Sequence, residues 1–366
     1  MFLRPFTLPP PPAKDLPGFH GFVEQVKPIL PIPVLLVIIP IGYLLLRGWW
    51  RDIDEAAAAE KAATIRAPGH YDRRPLVALV LCALILTMQE YYGGRIFFDQ
   101  SVYPLLLKYD QATHALSLVK YDELYGFVWW AVTRIGGYVF PFIVWRAFFW
   151  RDSLLDFGLR TKGFFDHAWI YLLFLAVVLP PMFVVASAPD FGAYYPFYKT
   201  AHRSWFDFLA WEAMYFAQFF ALEMFFRGFW LGALRRSFGS GAIFAMAVPY
   251  CMIHFGKPYL EAVGAVLAGI ALGSVSLKTK SIYQGFLVHI TVAALMDWLS
   301  LRRRHCTPLV LWPPATPGGT CLQEAAARDA LASKIEWIAA PCLVALVVFF
   351  LVMFVRSRVL RERRYL

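Results

Sequence analysis

The sequence is short of charge, and its five cysteines and eight histidines form none of the compact metal-binding motifs. Only 16% of the 366 residues are charged, whereas 59% are hydrophobic, and the mean hydropathy is +0.54. This balance excludes an ordinary soluble domain. The absence of C-x-x-C and H-E-x-x-H spacings excludes a zinc ribbon and the common zinc-peptidase helix. No basic run is interleaved with aromatic residues, so we expect no nucleic-acid partner.

Long apolar runs are what the sequence has instead. Several reach the roughly 20 residues that are needed to cross a hydrocarbon core of about 30 Å. Open sheet edges cannot be satisfied in lipid, so such runs span as helices. We therefore predict an all-α, polytopic helical membrane protein with about nine transmembrane helices. The predicted spans are about 29–46, 75–92, 124–147, 166–187, 205–231, 241–255, 260–277, 282–299 and 336–355.

Lysine and arginine are concentrated in the loops that nine spans would place on one side of the membrane. Cytoplasmic loops carry the excess of these residues, so we predict a cytoplasmic C-terminus and an N-terminus outside. Arg302, Arg303 and Arg304 fall on the opposite side and argue against this orientation. The net charge of +10 fits contact with anionic membrane lipid. We expect a bacterial inner (plasma) membrane.

Two of the five cysteines, Cys306 and Cys321, lie in the polar loop that this topology places outside. An oxidising compartment permits disulfides, so we predict a bond between them. The other three lie within predicted spans, where cysteine behaves as a small apolar residue.

Glu223 and Arg227 are charged residues within one of the most apolar stretches of the chain. Residues four apart share a helix face and can pair. A charge at the centre of a membrane helix costs roughly 2.5–3.5 kcal/mol on insertion scales, which favours a functional use. A purely structural ion pair is the alternative.

Two histidines complete a candidate catalytic group with Glu223 and Arg227. Glu223 and His289 each lie about eight residues from the cytoplasmic end of a predicted span, or roughly 12 Å, so they match in depth. His254 comes level with them if the sixth helix starts below the membrane surface or is bent at Pro249. A carboxylate and an imidazole can activate water, while the second imidazole stabilises the developing oxyanion.

These residues lie in segments that resemble motifs of a known family. The segments are Glu223 to Phe229, Tyr250 to His254, Ser281-Ile282 leading to His289, and the lead-in Leu155 to Arg160. They resemble the CPBP family, which comprises type II CAAX prenyl endopeptidases and related bacteriocin-processing and lysostaphin-resistance-like immunity proteins. The resemblance implies an intramembrane endopeptidase. Its substrate would be a peptide or membrane protein, lipidated in CAAX-type cases, that is cleaved near the cytoplasmic face.

Two positions depart from the family pattern. Leu222 stands where the Glu-Glu-x-x-x-Arg motif has its first Glu, which the family uses as the water-activating base. Ala293 stands in place of Asn, although Asp297 lies one turn further on. Either Glu223 acts as the base, which we favour, or the chain is an inactive member that serves as a membrane scaffold or immunity protein. A transporter is a third reading, without an internal repeat to support it.

The resemblance leaves the catalytic type open. Glu223, His254 and His289 can ligate zinc, yet the same residues support a glutamic mechanism without metal. We predict an N-terminal region over 1–149 with about three spans and a protease core over 150–300. The remaining 301–366 would hold an extracytoplasmic loop, a final span and a basic tail.

Overall fold

The computed structural model describes residues 29, 31–64, 72–161, 164–186, 189–257, 259–314 and 321–362. Within these ranges all regular structure is helical. The main helices are α1 (Pro31–Thr64), α2 (Arg74–Tyr92), α3 (Tyr103–Thr113), α4 (Asp122–Phe148), α5 (Ala168–Val185), α6 (Trp205–Glu223), α7 (Leu231–Phe238), α8 (Gly241–Met252), α9 (Tyr259–Thr279), α10 (Tyr283–Arg303) and α11 (Ala325–Glu362). Shorter helical segments are Arg95–Phe97, Phe98–Val102, Leu154–Asp156, Phe164–His167, Pro189–Tyr194 and Lys199–Arg203, and a π-helix, Met224–Trp230, joins α6 to α7.

The predicted all-α class is confirmed over the described residues, whereas the number of spans is not. Among the described residues, five helices are long and apolar enough to cross a membrane: α2, α4, α10, Glu261–Thr279 of α9 and Ala325–Arg356 of α11. Trp169–Pro180 and Gly241–Met252 are apolar but shorter. A count of about nine therefore stays a prediction.

The chain forms two compact units, each assembled from separated segments. The first contains the described residues of Met1–Gly94, Thr133–Arg160 and Phe220–Gly285, and the second those of Arg95–Val132, Thr161–Phe219 and Phe286–Leu366. The division at 149 and 300 that the sequence suggests stays a prediction.

Aromatic side chains dominate the core of the first unit. Phe225, Phe226 and Phe229 of the π-helix are fully buried. Tyr138 and Trp145 of α4 pack against them, with ring centroids 4.9 Å apart for Tyr138–Phe225 and 5.3 Å for Trp145–Phe229. Burying a large side chain contributes about 1.5–3 kcal/mol, so this layer fixes the π-helix and the charged residues that it carries.

The lead-in segment, Leu155 to Arg160, packs against the π-helix and against the start of α10. A Cβ atom on Gly228 would lie 2.6 Å from the carbonyl oxygen of Phe157, so only glycine permits this approach. Gly158 has φ +80°, a conformation that favours glycine, and its carbonyl accepts a hydrogen bond from the Ile282 N–H at 3.1 Å. The Tyr283 hydroxyl donates to the carbonyl of Leu159 at 3.0 Å.

Alanine at Gly228 should therefore destabilise the protein, because its Cβ would meet backbone that cannot move aside. Overpacking of this kind costs about 1–3 kcal/mol. Gly264 of α9 is the matched control, since nothing lies within 4 Å of a Cβ there. Gly264→Ala should be neutral or stabilise by about 0.4–1 kcal/mol. Equal denaturation midpoints for the two variants would contradict the close approach at Gly228.

In the second unit, α5, α10 and α11 meet at a small apolar cluster of Tyr171, Val288 and Phe350. The Lys199–Arg203 turn is held by Glu123, whose carboxylate accepts the backbone N–H of Lys199 at 2.6 Å and of Thr200 at 3.1 Å. These contacts order the chain ahead of α6.

Cys306 and Cys321 form a disulfide bond within the second unit. It closes a loop with a sequence separation of 15. In the chain-entropy model, a loop of that size gives about 3 kcal/mol. We expect Cys306→Ser with Cys321→Ser to lower the free energy of unfolding by about that amount. Cys342→Ala, at an exposed free cysteine, should change it little, and a similar loss in both variants would count against the bond.

Candidate active site

Glu223 and Arg227 form a buried ion pair in the first unit. An Arg227 terminal nitrogen, Nη1, lies 3.0 Å from Glu223 Oε1, and both side chains are fully shielded from solvent. Glu223 ends α6, and Arg227 lies within the π-helix that follows. Such π-helical insertions are frequent at functional sites. Because removing one partner strands the other charge, the two residues act as a unit.

Tyr250 of α8 connects this pair to His254. The Arg227 guanidinium carbon lies 3.8 Å from the centroid of the Tyr250 ring, a cation–π contact. The His254 ring is 4.9 Å from the same ring, centroid to centroid. The sequence motif therefore places its aromatic residue between the arginine and the histidine.

His254 lies outside the helix in which the sequence places it. We predicted it within the sixth span, but α8 ends at Met252. The His254 N–H bonds the carbonyl of Cys251 at 2.9 Å, three residues back, and Gly256 has φ +90°. The chain therefore leaves the helix in a tightened turn that glycine allows.

The hydrogen bond of His254 assigns its tautomer. Its Nδ1 lies 2.8 Å from the carbonyl oxygen of Tyr250. A carbonyl only accepts, so Nδ1 is the donor and the lone pair of the neutral imidazole is on Nε2. In this form, His254 accepts a hydrogen bond through Nε2.

Gly285, in the first turn of α10, lies against the carboxylate of Glu223. A Cβ there would be 2.5 Å from Glu223 Oε2. The sequence motifs do not single out this residue. Its only signal is the absence of a side chain four residues before His289, on the same face of the helix.

His289 belongs to the second unit. Its ring stacks on Phe219, with the centroids 5.1 Å apart and the planes at 18°. Its approach to Glu223 stays a prediction.

The two departures from the family pattern lie in different surroundings. Leu222 is 5% exposed and belongs to the apolar core of the first unit. Ala293 is buried, and the carboxylate of Asp297 accepts a hydrogen bond from the Trp211 indole at 2.6 Å. Asp297 is therefore bound within the second unit.

The surroundings of Glu223 do not fit a divalent cation. In the described part of the chain, no group of three or more His, Cys, Asp or Glu side chains is placed to hold a metal ion. The carboxylate that zinc would need is paired with Arg227, whose charge would repel the ion. The suggested set of Glu223, His254 and His289 is thus not supported as a zinc site.

Comparison with known proteins agrees with the motifs. Residues 203–295 match the family model described as Type II CAAX prenyl endopeptidase Rce1-like. No curated protein and no solved structure matches the chain. The family implies a CAAX-type intramembrane peptidase that acts on a peptide or protein substrate in the membrane, and the five apolar helices agree with an integral membrane protein. Residues 203–295 of this chain thus carry an Rce1-like domain, in the family that the sequence motifs predict.

Proposed function

We propose that this protein is an intramembrane endopeptidase that hydrolyses a peptide bond in a CAAX-type, lipidated substrate near the cytoplasmic face. The observation that carries the proposal is the buried Glu223–Arg227 pair, which Tyr250 connects to His254. The Nδ1 of His254 donates to a carbonyl, so its Nε2 can accept a hydrogen bond. A carboxylate and an imidazole can act as general acid and base when both are within hydrogen-bond distance of the same water molecule.

In the proposed reaction Glu223 takes a proton from water, whose oxygen attacks the carbonyl carbon of the scissile bond. His254 accepts a hydrogen bond from the same water through Nε2 and so orients it. The protonated Glu223 then gives its proton to the leaving nitrogen as the carbon–nitrogen bond breaks. Arg227 holds the carboxylate in place and offsets its charge.

The proposal gives His289 the role of oxyanion donor. His254 cannot donate through Nε2 while neutral, because Nδ1 holds the proton. A second imidazole is therefore needed to stabilise the developing negative charge. We assign this role to His289, the second histidine of the sequence motifs.

A direct test uses purified protein and a peptide panel. The panel pairs prenylated CAAX peptides with unprenylated copies and includes segments of membrane proteins, and mass spectrometry identifies the released C-terminal fragments. We expect cleavage of the prenylated CAAX peptides. If a folded preparation cleaves none of the panel, the proteolytic function is wrong.

The second candidate is an inactive member that acts as a membrane scaffold or immunity protein. Two observations favour it: Leu222 stands in the position of the first Glu, and Glu223 has no exposed surface. Under this reading, binding to a membrane partner would survive substitutions that remove the carboxylate.

A further inference from the structure

A polar cavity in the first unit is distinct from the Glu223 site. Its volume is about 230 Å³, below the range of roughly 300–1,000 Å³ that drug-sized ligands occupy. Its charged lining residues are Arg74, Arg151, Asp152, Asp156, Arg235 and Arg236. We call it the arginine pocket.

The arginine pocket lies at the termini of three helices. Arg74 begins α2, Trp145 lies in the last turn of α4, and Arg235 and Arg236 lie in the last turn of α7. Two of these helices, α2 and α4, are candidate membrane spans. The termini of membrane spans lie at the depth of lipid headgroups, where Trp and Arg side chains collect.

One arginine of the pocket is already neutralised. Arg74 donates through Nε and Nη2 to the two carboxylate oxygens of Asp152, each at 2.9 Å. Burial alone would raise the pKa of Asp152, but the hydrogen bond and charge of Arg74 hold that pKa below its ordinary value. The two charges therefore offset each other at neutral pH.

Arg235 and Arg236 are less completely compensated. Both pair with the single carboxylate of Glu60, at 3.1 Å and 3.7 Å. Arg151 adds a further positive charge to the lining. Among the described residues, the lining residues and their ion-pair partners Glu60, Asp72 and Arg160 together comprise five arginines and four carboxylates. One net positive charge remains, which matches the single negative charge of a phosphodiester.

We propose that the arginine pocket binds the phosphate of an anionic phospholipid headgroup. Guanidinium groups bind phosphate oxygens in a bidentate manner, and basic pockets between membrane helices on the cytoplasmic side receive anionic headgroups. The predicted orientation places the end of α7 on the cytoplasmic side, where anionic lipid is abundant.

The distance from Glu223 argues against a peptide carboxylate as the ligand. Arg235 and Arg236 follow Glu223 by 12 and 13 residues along one continuous helical stretch. This separation corresponds to about 18–20 Å. An extended three-residue tail spans roughly 10 Å. A three-residue tail whose scissile bond is held at Glu223 is therefore too short to reach Arg235 and Arg236.

The test measures binding by calorimetry on the full-length protein in an uncharged detergent. The probes are dioctanoylphosphatidylglycerol, dioctanoylglycerol (which has the same chains without phosphate) and inorganic phosphate. We expect binding of the phospholipid, none of the diacylglycerol, and competition by inorganic phosphate only at much higher concentration. If inorganic phosphate binds as tightly as the lipid, the pocket serves a free anion and the lipid assignment is wrong.

Three variants locate the site. Arg235→Gln with Arg236→Gln should weaken phospholipid binding by about tenfold or more. Arg51→Gln is the matched control, because Arg51 is an exposed residue of the same unit that does not line the pocket. Glu60→Gln should strengthen binding, since it frees both arginines, and this gain does not depend on whether the arginine variant folds. Unchanged binding in Glu60→Gln, or equal losses in Arg51→Gln and the arginine variant, would overturn the proposal.

Discussion

Replacement of Glu223 by Gln should lower the rate of peptide cleavage by about 10²–10⁴-fold, the usual loss when a general base is removed. Glutamine keeps the shape of the side chain and one acceptor oxygen but cannot take a proton from water. The loss should appear in kcat, because the carboxylate acts in the transition state rather than in substrate binding. Single-turnover cleavage of a prenylated CAAX peptide measures it.

The single variant also leaves the buried charge of Arg227 without its carboxylate partner, which can destabilise the fold. Lost activity alone therefore does not identify Glu223 as the base. The control is the double variant Glu223→Gln with Arg227→Gln, which removes both charges of the buried pair. It should unfold at a denaturant concentration close to that of the unmodified protein and still fail to cleave. Cleavage at the unmodified rate by this folded double variant would end the claim that Glu223 is catalytic.

The pairing of Glu223 with Arg227 could be predicted from the sequence, because four-residue spacing places both on one helix face. The π-helix that follows Glu223 and contains Arg227 could not be predicted from the sequence. Its hydrogen bonds reach one residue further than those of an α-helix, and nothing in the local sequence sets that choice. In the structure the surrounding aromatic side chains of α4 hold the segment.

His254 shows why the end of α8 was misplaced. Apart from His254, the run from Gly241 to Phe255 is apolar or aromatic, so hydropathy gives no signal at Met252. The signal is Gly256, which takes up a positive φ and permits the turn. Pro249, where a bend is one of the two alternatives that the sequence leaves open, lies inside the helix.

Gly285 could not be recognised as part of the site, because its role depends on another helix. A glycine at the start of an apolar helix is as consistent with helix packing as with contact to a carboxylate.

The number of membrane spans also could not be predicted from the sequence. Helix α1 is 34 residues long, but its second half is charged, so hydropathy cannot set the depth of this helix in the membrane.

Arg227→Met should lower the free energy of unfolding by about 3–5 kcal/mol, the cost of leaving a buried charge without its partner. The methionine side chain fills similar space but cannot neutralise Glu223, whose carboxylate has no exposed surface. Urea or guanidinium titration in mixed micelles measures the change. The loss should shrink when Glu223→Gln is added, because the stranded charge is then absent.

Arg160→Met is the matched control for this prediction. Arg160 also pairs with an acid four residues away, Asp156, at 2.8 Å, but both side chains are 54% exposed. Exposed pairs contribute about 0–1 kcal/mol, so this variant should be almost as stable as the unmodified protein. The contrast between the variants separates burial from pairing, because in both cases an arginine pairs with a carboxylate four residues before it. If Arg227→Met cost no more than Arg160→Met, the charge of Glu223 would not depend on Arg227, and the buried ion pair on which the proposed site rests would be wrong.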